Sequence, residues 1–311
     1  MARLSIDKIV LVTRKTRLAE LVERWNTVAQ ARFYIEHAGG RFADYVDEDA
    51  AYQRSLDVIH RQLELGLKVH RIDRAIVPTY LFSERDLIVT VGQDGLVANT
   101  ARYAGAQPIV ALNPDPARFD GILLPFAPGE ARAAVTRTIE GGARVRAVTL
   151  AEAALADGQR LVAFNDLYVG ARTHVSARYR IAVGDAREDQ SSSGVLVSTG
   201  AGSTGWMSSV FNMASGVAAF TGGSAGAART LPWEDPRLLF VVREPFRSRH
   251  SQSNLVAGMI EAGATITLES LMPSGGVIFG DGVEADFLAF ESGATATIRA
   301  AARRAQLVAR A

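Results

Sequence analysis

The feature that most constrains the fold is a pair of short apolar segments with a helical segment between them. Leu87–Val91 is a continuous run of apolar and β-branched residues, which is typical of a buried strand. Apolar residues then recur three or four positions apart from Leu96 to Ala104, which predicts a helix, and Pro108–Leu112 predicts a second strand. Two strands joined by a helix form a right-handed unit with parallel strands. The sequence therefore predicts an α/β fold built on a parallel sheet.

The remainder of the first third fits the same architecture. Ile9–Thr13 predicts another buried strand, and Leu18–Tyr34 predicts a helix. Between Ala50 and Leu67 the apolar residues fall on one face of a helix, at Tyr52, Leu56, Ile59 and Leu63. We interpret these side chains as core and not as part of a site.

The pattern changes after Ala127. A helical stretch, Pro128–Ile139, is followed by short segments of strand character at Val145–Leu150, Leu161–Phe164, Ser176–Val183 and Gly194–Ser198. Short strands in close succession predict a β-rich second domain. We expect an N-terminal parallel α/β domain at residues 1–126, a β-rich C-terminal domain at 127–290, and a segment at 291–311 that returns to the first domain.

Composition excludes several classes of protein. No apolar run approaches the roughly 20 residues that cross a bilayer, and a net charge of +1 gives no reason to expect a membrane or nucleic acid as partner. The absence of cysteine excludes disulfides and thiol chemistry, and the five histidines lack the spacing of a metal-binding helix face. We therefore assign no metal-ligating residue and expect a cytoplasmic protein, since the N-terminus lacks the pattern of a cleavable signal.

The loop Gly92-Gln93-Asp94-Gly95 stands between the predicted strand and helix. Glycines let the backbone approach a polyphosphate closely, the start of a helix offers free N–H groups, and Asp94 can reach a substrate hydroxyl. A turn in which Asp94 caps the helix is an alternative interpretation. A second polar loop begins at Asn113 after the next strand, and ligands of such sheets bind at the carboxyl ends of the strands.

Two further polar stretches occur in the second domain. Asn165-Asp166 interrupts an apolar segment, and an adjacent amide and carboxylate can bind neighbouring hydroxyls of a sugar, although the pair is also common in turns. An apolar strand leads into the second stretch, Ser198–Trp206, which is rich in serine, threonine and glycine. Its N–H and O–H donors suit a ribose, an adenine edge or a phosphate, and a plain surface loop is the alternative.

In this order and at these separations, the three stretches resemble the NAD kinase family. The family's Gly-Gly-Asp-Gly loop is matched by residues 92–95, its Asn-Glu pair by Asn165-Asp166, and its Ser-Thr-Pro-Thr-Gly-Ser-Thr-Ala-Tyr stretch by Ser198–Trp206. The mitochondrial type of the family is the most similar, since residues 113–118, 190–204 and 240–246 echo its segments.

The resemblance implies an NAD kinase-like fold and the transfer of the γ-phosphoryl group of ATP, with Mg²⁺, to the 2′-hydroxyl on the adenosine ribose of NAD. It also implies a homodimer or higher homo-oligomer. By matching positions, Asp94 would orient and deprotonate the hydroxyl. The residues that the resemblance implies as nucleotide-binding are Gly92, Gln93, Gly95, Asn113, Asn165, Asp166, Thr199, Gly202, Ser203, Thr204, Gly205 and Ser209.

The chain departs from the family pattern at several positions. Gln93 replaces the second glycine of the loop, and Gly200, Ala201 and Trp206 replace Pro, Thr and Tyr. Ser193 stands where many bacterial members have an acidic residue, and this difference agrees with the mitochondrial type. Because of the change at Gln93, a catalytically silent module that binds NAD or NADP is an alternative interpretation.

A kinase of the related diacylglycerol or sphingoid class is a further alternative, because that class shares the Gly-Gly-Asp-Gly loop. The Ser198–Trp206 stretch favours a nucleotide acceptor over a lipid. The sequence leaves open NAD or NADH as acceptor and ATP or polyphosphate as donor. It also leaves open whether Arg243, Arg247 and Arg249 contact phosphates or form a solvated face.

Overall fold

The computed structural model describes residues 4–224 and 226–310, which form two compact units. Unit 1 runs to Arg146 and includes the segment from Gln306, and unit 2 is Ala147–Ala305. The division lies later than the expected boundary at 126/127, because the helix Ala131–Ile139 packs into the core of unit 1. Residues 291–305 of the C-terminal segment belong to unit 2, and those from Gln306 onward belong to unit 1.

The sheet of unit 1 is parallel throughout. Its strands are β1 (Lys8–Thr13), β2 (Lys68–Asp73), β3 (Asp86–Val91) and β4 (Pro108–Leu112), in the order β2-β1-β3-β4. The chain's last strand, here numbered β16 (Thr295–Ala309), adds Gln306 and Leu307 in parallel beside β4. The predicted parallel α/β architecture of the N-terminal domain is confirmed.

The helices of unit 1 flank this sheet. They are α1 (Arg17–Trp25), α2 (Val28–His37), α3 (Phe42–Gln62), α4 (Asp94–Tyr103) and α5 (Ala131–Ile139), with 3₁₀ turns at Arg74–Thr79 and Pro128–Glu130. The predicted helix over 18–34 is in fact two helices. Asn26 takes a left-handed conformation with φ of 65° at the end of α1, and the Thr27 hydroxyl accepts the Gln30 N–H at the start of α2.

The predicted apolar face of α3 is confirmed. Tyr52, Leu56, Ile59 and Leu63 are all buried, in the same cluster as the apolar residues of β1, β3 and β4. The segment β3-α4-β4 is the predicted parallel unit. Because parallel strands end at one edge, the residues after β3 and β4 lie at the same edge of the sheet.

Unit 2 consists of two antiparallel sheets and one long helix. The strands are β5 (Arg144–Leu155, from Ala147 on in unit 2), β6 (Arg160–Ala163), β7 (Asp166–Ala171), β8 (Ala177–Val183), β9 (Ala186–Ser192), β10 (Val195–Ser198), β11 (Leu238–Val242), β12 (Ala257–Ile260), β13 (Ile266–Ser270), β14 (Gly276–Gly280) and β15 (Phe287–Ala289). One sheet has the order β12-β11-β10-β7-β14-β15, and the other contains β5, β6, β8, β9, β13 and the first part of β16. The predicted β-rich character of this part is confirmed.

Strand alternation places the polar residues of β7 on one face. Leu167 and Val169 point into the core between the two sheets, so Asp166 and Tyr168 point to the opposite face. On that face Leu196 of β10 packs against Met207 of the helix α6 (Trp206–Phe220).

The glycine-rich segment after α6, residues 221–226, contains no helix or strand in its described residues. Ala225 lies outside the described residues. Among the described residues, no helix is long and apolar enough to span a membrane.

Candidate functional site

Asp94 is the first residue of α4, directly beyond β3. One of its carboxylate oxygens, Oδ1, accepts the backbone N–H of Leu123 at 2.8 Å. Its other oxygen makes no hydrogen bond in the described part of the chain, and the residue is half-buried. The N-cap position belongs to Gln93, so the Asp94 carboxylate does not cap its own helix. The arrangement leaves one carboxylate oxygen available beside the start of a helix.

The rest of this loop leaves open space around Asp94. The Gln93 side chain is exposed and makes no capping hydrogen bond. A side chain at Gly95 would meet no atom within 4 Å, whereas one at Gly92 would lie 2.8 Å from Leu96 Cδ2 and 3.6 Å from Arg14 Cδ. The loop can therefore admit a ligand against Gly95 without displacing protein atoms.

The polar loop after β4 is held by Asn113. Its side-chain amide donates to the Phe119 carbonyl at 2.9 Å, and its oxygen accepts the Asp115 N–H at 3.1 Å. Asn113 is 4% exposed. In this arrangement the Asn113 side chain shapes the loop through protein contacts.

The basic turn after β1 is fixed by a buried carboxylate, which the sequence did not reveal. Arg14 donates to Glu48 Oε1 at 3.0 Å, and Arg17 and Arg118 approach Oε2 of the same residue at 2.5 and 3.9 Å. Burial raises the pKa of Glu48, but the hydrogen bonds from Arg14 and Arg17 outweigh that effect, so the net pKa is lowered. Arg14 is thereby held next to Gly92.

In unit 2, Asn165 lies in the bend between β6 and β7, and Asp166 is the first residue of β7. Asp166 is 6% exposed and Asn165 is half-buried. Neither side chain makes a hydrogen bond to another described residue. Buried polar groups normally have partners, so two adjacent side chains without any indicate a place for a ligand.

The environment of Asp166 favours its protonated form. Burial, and secondly the negative charge of Asp281, raise the pKa of Asp166 from 3.8 to about 7. A carboxyl group with this pKa can both donate and accept hydrogen bonds near neutral pH, which is suited to pairs of hydroxyl groups.

The hydroxyls of the loop after β10 bond mostly within the protein. The Thr199 hydroxyl donates to the Phe164 carbonyl at 2.7 Å, and the Ser203 hydroxyl donates to the Gly200 carbonyl at 2.7 Å. Both residues are fully buried. Thr204 and Ser209 are exposed, as is Gly205. Of the hydroxyls predicted to bind nucleotide, only those of Thr204 and Ser209 lie on the protein surface.

Two glycines of this loop are required by close backbone approach. A side chain at Gly202 would lie 2.1 Å from the Asn165 carbonyl oxygen, and one at Gly200 would lie 1.9 Å from that of Pro232. The loop therefore lies directly against the Asn165 backbone at Gly202 and against the Pro232 backbone at Gly200.

An aromatic pocket of about 380 Å³ lies on the same face of the sheet. Its walls include Tyr168, Trp206 and Phe279, with the Tyr168 and Trp206 rings nearly parallel and 6.0 Å apart. The Arg243 guanidinium lines it, 5.4 Å from the centre of the Trp206 ring. The exposed Arg247 does not line the pocket. Aromatic walls beside a guanidinium are suited to a planar base and an anionic group.

Tyr168 was not singled out from the sequence. It lies against Gly170 and Gly194: a side chain at Gly170 would come within 2.4 Å of its hydroxyl oxygen, and one at Gly194 within 2.6 Å of its ring. Its hydroxyl donates to the Ser193 carbonyl at 3.0 Å. Gly170 lies in β7 and Gly194 in the connection between β9 and β10, so their common contact with Tyr168 depends on strand pairing that the sequence does not indicate.

No group of three or more His, Asp or Glu side chains able to hold a metal ion occurs within residues 4–224 and 226–310. The described residues thus do not form an all-protein metal cage. Magnesium in phosphoryl-transfer enzymes is held largely by substrate phosphates, with one or two carboxylates.

Comparison with known proteins gives matches among solved structures. No family model matches the sequence, and no curated protein matches it. Yeast NADH kinase, solved in complex with NADH, has a TM-score of 0.58 at 17% identity, covering 100% of this chain and 85% of that one. An NAD kinase from Archaeoglobus fulgidus, solved in complex with ATP, has a TM-score of 0.56 at 16% identity, covering 96% and 93%. The predicted NAD kinase-like fold is confirmed.

Proposed function

We propose that the chain is an NAD kinase that transfers the γ-phosphoryl group of ATP to the 2′-hydroxyl of the adenosine ribose of NAD. The observation that carries the proposal is the position of Asp94 in an NAD kinase-like fold: beyond a central parallel strand, at the first turn of α4, with one carboxylate oxygen unbonded. A carboxylate placed in this way can accept the proton of an attacking hydroxyl.

In the proposed reaction, the 2′-oxygen forms a bond to the γ-phosphorus while the bond from that phosphorus to the bridging oxygen of ADP breaks. The hydroxyl proton passes to Asp94, and ADP leaves with its oxygen negatively charged. Loop N–H groups at the start of α4 and the nearby Arg14 are suited to the donor phosphates. Magnesium would enter with ATP and neutralise phosphate charge.

The acceptor is proposed to bind through unit 2. The unpartnered side chains of Asn165 and Asp166 suit ribose hydroxyls, and the pocket beside Trp206 suits a planar base of the dinucleotide. These features favour a nucleotide over a lipid acceptor. The segments that echo the mitochondrial type lead us to propose that type within the family.

The test is incubation of the purified protein with NAD, ATP and Mg²⁺, followed by chromatographic separation of the nucleotides. We expect NADP and ADP to form in equal amounts. Parallel reactions with NADH, and with polyphosphate in place of ATP, determine which acceptor and donor are used. Absence of NADP and NADPH in every reaction would reject the proposal.

A catalytically silent module that binds NAD or NADP is the second candidate. The exposed Gln93 side chain favours it, because it stands where the family has a glycine facing the donor. Calorimetry with NADP separates the two candidates. A protein that binds NADP but makes none under any of the conditions above is the silent module.

A further inference from the structure

A feature that the proposed function does not use is the carboxylate of Asp281, which lies just beyond β14. One oxygen of Asp281 accepts the backbone N–H of Phe164 at 2.9 Å, and the other accepts that of Asn165 at 2.6 Å. The N–H of Asp166 lies 3.3 Å from that second oxygen. A single carboxylate thus receives three consecutive N–H groups, two from the bend after β6 and one from the first residue of β7.

The backbone around Asp281 is shaped to make these contacts. Asp281 and Gly282 have φ of 55° and 69°, and the Val283 N–H bonds to the Gly280 carbonyl at 3.0 Å. Two central residues with positive φ define a type I′ turn, which Asp-Gly favours. The Asp281 N–H also donates to the Asp166 carbonyl at 3.0 Å, continuing the ladder between β14 and β7.

We propose that Asp281 is a positioning residue: its carboxylate holds the backbone of the bend and so fixes the Asn165 and Asp166 side chains for the hydroxyl groups of a ligand. The proposal rests on the proposed function, in which that ligand is the ribose of a dinucleotide. Three accepted N–H groups restrict the bend from one side. The side chains of Asn165 and Asp166 remain free of protein partners on the other.

Asp281 has a second, electrostatic consequence for Asp166. Strand β7, which begins at Asp166, pairs with β10 on one side and with β14 on the other. Neither β10 nor β14 contains a titratable residue, and of Asp281 and Glu284 in the segment after β14, Asp281 is the group whose charge acts on Asp166. Its negative charge favours a protonated Asp166, which can donate a hydrogen bond to a sugar oxygen.

The test compares Asp281→Asn and Asp281→Ala with the wild-type chain. Asp281→Asn keeps one acceptor oxygen but loses the charge, and Asp281→Ala loses both. Asp185→Asn is the matched control, since Asp185 lies in an exposed turn of the same unit between β8 and β9. Two quantities are measured: NAD affinity by calorimetry across pH 5.5–8.5, and the titration midpoint of the Asp166 carboxyl by ¹³C NMR without ligand.

We expect Asp281→Asn to weaken NAD binding roughly tenfold, as the loss of a charge-assisted contact does, and to move the Asp166 midpoint to lower pH. The kcat at saturating NAD should stay within about twofold of the wild-type value, because the change acts on binding. Asp185→Asn should change none of these. Asp281→Glu, which restores the charge, should return the midpoint toward the wild-type value.

An unchanged Asp166 midpoint in Asp281→Asn overturns the proposal, and so does unchanged NAD affinity in a protein that binds NAD. If the wild-type chain binds no dinucleotide at any pH, the proposed function fails and the positioning role for that ligand fails with it. The ligand-free NMR midpoint still shows in that case whether Asp281 acts on Asp166, which distinguishes the two failures.

Discussion

The loop around Asp94 in unit 1 and the bend around Asp166 in unit 2 are built in opposite ways. In unit 1 the loop consists of the consecutive residues 92–95, the Gln93 side chain is exposed, and Gly95 faces open space. In unit 2 the bend is enclosed: Gly202 lies directly against the Asn165 carbonyl, and Asp166 is only 6% exposed. The open loop suits a carboxylate that acts on a reacting hydroxyl group, whereas the enclosed bend suits a group that holds one ligand in place.

This contrast assigns different steps to the two carboxylates. Asp94 is half-buried, and one of its carboxylate oxygens makes no hydrogen bond in the described part of the chain. Asp166 is nearly surrounded and has its pKa raised to about 7. We infer that Asp94 acts in the chemical step and Asp166 in binding.

The largest expected effect is on turnover in Asp94→Asn. Removal of a general base lowers kcat by about 10²–10⁴-fold, while NAD affinity should remain within about twofold, because the isosteric amide keeps the contact to Leu123. Steady-state kinetics and calorimetry on the same preparation measure both. A variant that retains more than about a tenth of the wild-type kcat would give Asp94 a purely structural role.

The next effect concerns the stability of Asp166→Asn as pH changes. Because the folded-state pKa of Asp166, about 7, lies above its ordinary 3.8, its contribution to stability is complete below about pH 4 and is lost as pH rises through 7. Relative to Asp166→Asn, the wild-type chain should therefore lose up to about 4 kcal/mol of unfolding free energy between about pH 4 and pH 8. Denaturant unfolding at several pH values measures the difference, with Asp185→Asn as the exposed control. A difference that is constant with pH contradicts the enclosed environment.

A pair of glycine substitutions tests the open and enclosed regions directly. Gly202→Ala would bring a methyl group within 2.1 Å of a backbone oxygen, so we expect a loss of about 1–3 kcal/mol of stability together with weaker NAD binding. Gly95→Ala, at a helical position with open space, should be neutral or slightly stabilising. Thermal unfolding compares the two variants. Equal losses of stability in the two variants would contradict the contrast between the open loop and the enclosed bend.

The smallest expected effect is that of Gln93→Gly. We expect the KM for ATP to change and NAD affinity to stay nearly constant, because the exposed side chain lies on the loop proposed to face the donor. Loss of activity would mean that the glutamine contributes a hydrogen bond worth roughly 0.5–1.5 kcal/mol. A change confined to the NAD constant would place this loop on the acceptor side.

The helices and strands predicted from the sequence are those determined by residues close together in the chain. The strands β1, β3 and β4 and the buried face of α3 follow from runs and periods of apolar residues. The break at Asn26 was missed, because the apolar period continues across it while a left-handed residue and a threonine cap end one helix and begin another. Periodicity alone does not register such caps.

The missed parts of the candidate site depend on distant contacts. Asp281 reaches the bend at Asn165 only because β14 pairs with β7 in one register, and nothing near Asp281 in the sequence indicates that pairing. The buried roles of Thr199 and Ser203 also follow from packing, since a hydroxyl-rich loop reads the same whether its hydroxyls face a ligand or the protein. The sequence therefore indicates which residue types occur at a site, but it does not indicate whether their side chains face a ligand or the protein interior.

The central claim, that Asp94 acts in the chemical step and Asp166 in binding, is tested most directly by single-turnover phosphoryl transfer at saturating NAD and ATP. We predict that Asp94→Asn slows this step by about 10²–10⁴-fold, whereas Asp166→Asn transfers at nearly the wild-type rate and needs more NAD to saturate. A slow step in Asp166→Asn at saturation, or a fast one in Asp94→Asn, would contradict the account.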